Sequence, residues 1–167
     1  MVMKKTALIV VAIFAAGLLV INGFKGGSKA GTGEWAQEIK WTKASISKSE
    51  ILAAAKPVFL FVHTEWCTYC RKMKSETFAD PRVQQLLNDK FVALEINPET
   101  DGKTNFLGDD LSFAQLAERL RVNGYPMSFF FSSDGKLIAG QPGYIGAKEF
   151  ADLAERIGSG HDTNNSF

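Results

Sequence analysis

Pro57-Val58-Phe59-Leu60-Phe61-Val62-His63-Thr64-Glu65-Trp66-Cys67-Thr68-Tyr69-Cys70-Arg71-Lys72 is the stretch on which the reading of this 167-residue chain turns. Val58 to Val62 is an unbroken run of apolar strand formers, which suits a strand buried on both faces. The residues after Cys70 are rich in Lys and Arg and read as a helix. Cys67 therefore falls just past a buried strand and at the start of a helix. A helix N-terminus offers unpaired N–H groups and the positive end of the helix dipole, and both stabilise a thiolate. Arg71, Lys72 and Lys74 add positive charge nearby. On this reading Cys67 is the exposed nucleophile with the lowered pKa. Cys70, one helical turn further on, is the more buried resolving thiol. Attack by Cys67 on a disulfide gives a mixed disulfide, and Cys70 then releases it.

Cys67 and Cys70 are the only cysteines in the chain. Zinc needs about four ligands, and the chain adds only His63 and His161 to the two thiols. Covalent haem needs a histidine directly after the second cysteine, where Arg71 stands. As a structural staple, a bridge between residues so close in sequence closes too small a loop to stabilise much.

Working outward, Glu38 to Thr42 alternates and reads as a short strand. Ser47-Lys48-Ser49-Glu50 is a capping box that opens a helix through Ile51, Leu52 and Ala55. Asp80-Pro81 pairs an N-cap with a proline at the first helical position and predicts a helix to about Asn88. Phe91 to Ile96 reads as another buried strand. Pro98 to Asp110 is polar, contains glycine and reads as an inserted loop. Ser112 to Gln115 repeats the capping-box form and starts a helix to about Leu120. Met127 to Phe131 reads as a strand, Ser133 to Lys136 as a hairpin turn, and Lys136 to Ala139 as the partner strand. Gly146 to Ile157 is an amphipathic helix with Phe150, Leu153, Ala154 and Ile157 on one face. The order β-α-β-α-β-α-β-β-α predicts an α/β domain with a central mixed sheet and helices on both faces. The early strands are expected to be parallel and the last hairpin antiparallel.

The N-terminus is basic at Lys4 and Lys5 and then apolar from Ala7 to Ile21, which is the pattern of an export signal. Residues 1–24 are read as a signal peptide or as a membrane anchor formed by residues 7–24. Residues 25–35 are read as a flexible glycine-rich linker, 36–158 as the folded domain and 159–167 as a disordered tail. Apolar residues make up 46% and charged residues 22% of the chain, which excludes a disordered, a collagen-like or a multi-span membrane protein. The net charge of +1 gives no footprint for nucleic acid. Without the first 30 residues the body carries 15 basic and 18 acidic residues, a net of −3.

Trp66-Cys67-Thr68-Tyr69-Cys70 after an apolar strand resembles the active site of the thioredoxin-like family. Gly124-Tyr125-Pro126, just before Met127–Phe131, resembles that family's cis-proline loop. Asp134-Gly135 and the segment from Gly143 to Ile157 resemble its closing hairpin, glycine turn and last helix, so the likeness covers residues 36–158. Lys56-Pro57, Thr77-Phe78-Ala79-Asp80-Pro81 and the insertion near residue 100 are similar to exported bacterial members. Those include thiol–disulfide interchange domains and thioredoxins of sulfur-oxidation gene clusters.

The resemblance implies a thioredoxin fold and a redox-active Cys67–Cys70 disulfide with no other cofactor and no metal. It implies a cis bond between Tyr125 and Pro126, a Tyr125 backbone that pairs with an extended substrate, and Trp66 as a shield and docking rim. Cytosolic thioredoxins place a buried Asp where this chain has Phe61. The proton acceptor for Cys70 is then absent or supplied by another group, with Glu95 and His63 as candidates. A satisfied Glu95 and a hydrogen-bonded His63 are the competing readings. Thr68-Tyr69 between the cysteines tunes the redox potential.

The expectation is an exported, monomeric thiol–disulfide oxidoreductase, periplasmic or otherwise extracytoplasmic. Its partners would be disulfide or dithiol proteins and a membrane thiol carrier. The alternative is a Cu(I) metallochaperone that uses Cys67, Cys70 and His63, since soft thiolates match Cu(I).

Overall fold

The computed structural model describes residues 38–42 and 47–160. The segments read as leader (1–24) and linker (25–35), and residues 161–167 of the expected tail, lie outside the described residues. Within them a four-stranded sheet carries the fold, in the order β2-β1-β5-β6. β1 (Val58–Val62) runs parallel to β2 (Val92–Ile96) and antiparallel to β5 (Met127–Phe131). β6 (Leu137–Pro142) lies antiparallel on the far side of β5. The mixed α/β architecture is the one the sequence predicts.

β1 sits in the middle because every one of its side chains is buried. Strand side chains alternate between faces, so Phe59 and Phe61 project to one side and Val58, Leu60 and Val62 to the other. The Phe59 side packs with residues of α3 (Pro81–Lys90), α5 (Ala147–Gly158) and the cysteine-bearing helix α2 (Thr68–Lys72). The Val58 side packs with Ile51 of α1 (Lys48–Ala54) and Leu116 of α4 (Phe113–Arg119). Phe59 is the hub of the first core, with ring centroids of Phe130, Phe150 and Phe78 at 5.1, 5.2 and 5.9 Å.

The helix starts are set by side chains legible in the sequence. Ser47 with Glu50, and Ser112 with Gln115, form complete capping boxes. Asp80 accepts from the N–H groups of Arg82 and Val83, with Pro81 at the first helical turn. Such caps contribute about 1 kcal/mol each.

Two expectations are corrected. Pro98–Asp110 is not a plain loop: it contains β3 (Lys103–Phe106), and β4 (Asp109–Ser112) closes an antiparallel hairpin against it. The turn is Leu107-Gly108, both at positive φ (60° and 98°), the signature of a two-residue hairpin turn. A leucine is an uncommon occupant of that conformation, which hid the turn, although Thr104 and Phe106 alternate as buried positions. Glu38–Thr42 is not a full strand: among the described residues only Thr42 bridges the sheet, opposite Leu94. The Trp41 N–H turns back to the Ile39 carbonyl at 2.9 Å. Asn88 of α3 takes the Lys40 N–H and donates to the Glu38 carbonyl, so these backbone groups are withheld from a ladder.

Candidate active site

Cys67 and Cys70 are joined by a disulfide, with a Cα–Cα distance of 5.2 Å. Cys67 is the N-cap of α2, and its Sγ accepts the Cys70 N–H at 3.0 Å. A sulfur in that place occupies the position of an anion at a helix start, where the backbone donors favour a thiolate. The helix does not end at Lys72 but continues as a π-turn over Met73–Thr77, closed by the Phe78 N–H on the Met73 carbonyl at 2.9 Å. Cys70 is 1% exposed and Cys67 5%. In the oxidised state Cys67 is thus nearly covered, in contrast to the open position expected, although it remains the more exposed of the two residues.

The residues just ahead of Cys67 and of Pro126 meet at the rim. Trp66 is 64% exposed, and its ring lies edge-on to Tyr125 with centroids 5.9 Å apart. The Tyr125–Pro126 peptide bond is cis and Pro126 is buried. The Pro126 carbonyl accepts the Gly143 N–H at 2.8 Å. Gly143 has φ +81°, a conformation that suits glycine and brings this amide to the proline loop. On the other flank, Lys72 lies 4.7 Å above the Tyr144 ring, and the Tyr144 hydroxyl donates to Glu76 at 2.7 Å. Arg71 donates to the Glu65 carbonyl at 2.7 Å and to the Thr68 hydroxyl, fixing the turn before the cysteines.

His63 and Glu95 are brought together, and a third residue joins them. The Glu95 Oε2 is 2.7 Å from the Lys74 Nζ and 3.2 Å from the His63 Nε2. Among the described residues this pairing, and not a contact with either sulfur, accounts for both groups. His63 also stacks on Phe61, the residue at the acid's place in cytosolic thioredoxins. The hydrogen bond from His63 and then the hydrogen bond and charge of Lys74 outweigh burial and hold the Glu95 carboxyl down at about 2. Lys74 was legible only as part of a basic helix, because its partner lies on a strand far away in sequence.

The lowered Glu95 pKa has a stability consequence. The folded value lies below the unfolded value of about 4.3, so the stabilisation is complete above that pH and is lost as pH falls toward 2. With Glu95 32% and Lys74 40% exposed, solvent screening limits the contribution to about 0.2–1 kcal/mol. Glu95→Gln is expected to lose that amount at pH 7 and to show a flatter acid limb. Urea midpoints from pH 7 down to pH 2 check this, and parallel curves for the two proteins would refute it.

A central mixed sheet with helices on both faces, a disulfide at a helix start and a buried cis-proline loop beside it define a thioredoxin-type dithiol–disulfide domain. The chain belongs to the thioredoxin-like domain family, whose model matches residues 46–158.

Among curated proteins it is 33% identical over 104 residues to the thiol:disulfide interchange protein DsbD of Photorhabdus laumondii, covering 61% of this chain and 16% of that protein. It is 28% identical over 95 residues to DsbD of Escherichia coli K12, covering 57% and 15%. The chain thus spans about a sixth of the length of these relatives. Among solved structures, a thioredoxin-fold protein from Helicobacter pylori superposes with a TM-score of 0.66 at 21% identity, over 78% of this chain and 82% of that one. A thioredoxin from Thermus thermophilus gives 0.61 at 23% identity, over 75% and 91%. At these identities the likeness establishes the fold.

Among the described residues no group of three or more His, Cys, Asp and Glu could hold a metal ion. Nor is any helix there long and apolar enough to cross a membrane.

Proposed function

We propose that the chain is an exported thiol–disulfide oxidoreductase that reduces or exchanges disulfides in partner proteins. The observation that carries this reading is the Cys67–Cys70 disulfide at the start of α2, with the Cys67 sulfur receiving a backbone N–H. The name of the DsbD relatives, thiol:disulfide interchange protein, supports it. In the reduced form the Cys67 thiolate attacks one sulfur of the substrate disulfide and expels the other as a thiolate. Cys70, deprotonated, then attacks Cys67 Sγ, expels the second substrate sulfur and re-forms the internal disulfide. Two electrons pass from the dithiol to the substrate, and the substrate thiolates take up two protons.

Trp66 and the Tyr125 backbone form the docking rim in this reading, and Pro126 shapes the loop between them. Glu95, held ionised, and His63 act through Lys74 by fixing the helix that carries both cysteines. The basic-then-apolar start of the chain supports an extracytoplasmic location. A reductant there needs an electron donor, for which a membrane dithiol carrier has the right chemistry.

Insulin reduction by dithiothreitol tests the activity: the protein is expected to accelerate precipitation, and an unchanged rate would refute the reading. The potential of the Cys67–Cys70 pair sets direction. A value near about −270 mV marks a reductant and near about −120 mV an oxidant. Anaerobic titration with Cu(I) separates the copper-carrier reading, which requires tight one-to-one binding at the two thiols.

A further inference from the structure

The exposed tryptophan beside the disulfide is held by a residue that the exchange chemistry does not use. The Trp66 indole N–H donates to both carboxylate oxygens of Glu99, at 2.8 and 2.9 Å. Glu99 is itself fixed by the turn that follows β2. Its N–H donates to the Asn97 side-chain oxygen at 3.0 Å. The Thr100 N–H and hydroxyl close the same turn on the Asn97 carbonyl at 3.1 and 2.9 Å. A side chain as exposed as Trp66 would otherwise sample several rotamers. The carboxylate at one end and the Tyr125 ring at the other select one.

The charges around the site are unequally committed. Lys72 lies over Tyr144 and within 3.9 Å of Glu76, and the Arg71 guanidinium is spent on the Glu65 carbonyl and Thr68. Glu99 has no cation: among the described residues its carboxylate meets only the neutral indole N–H. Glu65, immediately before Trp66, is likewise exposed. An acidic side chain with no cation partner among the described residues therefore stands at the edge of the ring of Trp66, the residue next in sequence to Cys67. Screening over about 8 Å at physiological salt confines its reach to groups seated against that ring.

We infer that Glu99 is a positioning and specificity residue of the Cys67–Cys70 site: it fixes the Trp66 ring and favours disulfides flanked by Lys or Arg. This rests on the disulfide-exchange reading above. It gives the segment after β2 a role at the site through an anion that touches the docking rim and not the sulfurs.

The test uses the full, reduced chain and two synthetic peptide disulfides that differ only in a Lys or a Glu beside the cysteine. Wild type is expected to show a kcat/KM about five-fold higher for the Lys peptide at low salt, a typical size for one exposed charge pair, and to lose the preference at high salt. Glu99→Gln keeps an acceptor for the indole but removes the charge. It is expected to lose the preference while the acrylamide quenching of Trp66, read against a Trp66→Phe blank, stays as in wild type. Glu99→Ala removes both, so the preference is lost and Trp66 quenching rises. An equal preference in Glu99→Gln and wild type, no preference in wild type, or unchanged quenching in Glu99→Ala would each overturn the inference. If wild type reduces neither peptide, the exchange reading itself falls.

Discussion

Cys67→Ser is expected to bring disulfide exchange down to the background rate between substrate and reductant, whereas Cys70→Ser is expected to stop after one step and accumulate a mixed disulfide. The asymmetry comes from the site's geometry. Cys67 is the N-cap of α2 and receives the Cys70 N–H, the arrangement that stabilises a thiolate, while Cys70 is sealed at 1% exposure. Serine has no accessible anion at neutral pH, so the nucleophile is lost. It is also a favoured N-cap, so the helix start survives the replacement. A bridge over so short a loop contributes little to stability. The loss is therefore chemical, and unchanged circular dichroism should accompany it. Non-reducing gels and intact-mass spectra read the second half of the prediction: an adduct with substrate in Cys70→Ser and none in Cys67→Ser. Adducts formed equally by both variants, or exchange retained by Cys67→Ser, would reverse the assignment of nucleophile and resolving thiol.

The parts of the molecule legible in the sequence are those governed by local pattern. Five apolar strand formers in a row marked β1 as a strand buried on both faces, because such a run has no polar face to give to water. Ser47, Asp80 and Ser112 announced three helices because an N-cap satisfies donors within its own turn. The cysteine spacing announced the disulfide site in the same local way. What stayed hidden depends on partners far along the chain or on an uncommon residue at a common turn. Leu107 in a left-handed conformation disguised the β3–β4 hairpin. Asn88, 48 residues from Lys40, draws Glu38–Thr42 out of a ladder. The Trp66–Glu99 bond spans 33 positions, and the Glu95–His63–Lys74 cluster joins β2, the residue just after β1 and the π-turn. A glutamate in a buried strand signalled that something pairs with it, but only the fold says that the partner is a lysine one turn past Cys70.

Phe59→Ala is expected to destabilise the fold more than any replacement at the redox site, by about 3–5 kcal/mol out of a total that for such domains is about 5–15. Phe59 is fully buried, and besides the three nearer rings it has Trp41 at 6.2 Å. These neighbours come from β5, α5, the segment before α1 and the segment after the π-turn, so no single one can move in to fill the space without leaving another gap. Edge-to-face packing with Phe78 and Phe150 adds to the area lost. The effect should also reach the redox site. The Phe78 N–H closes the π-turn on Met73, and Phe78 packs on Phe59, so a cavity there loosens the seat of the helix that buries Cys70. In the reduced protein, Cys70 is therefore expected to react faster with iodoacetamide in Phe59→Ala than in wild type. Leu137→Ala, at a position 55% exposed, serves as the reference and should change stability by no more than about 0.5 kcal/mol. Urea unfolding measures both. A Phe59→Ala loss no larger than that of Leu137→Ala would mean that the aromatic cluster does not hold the sheet to α5. Unchanged Cys70 reactivity, with stability lost as expected, would mean that the helix is seated by the Lys74–Glu95 tie and not by the aromatic core beneath it.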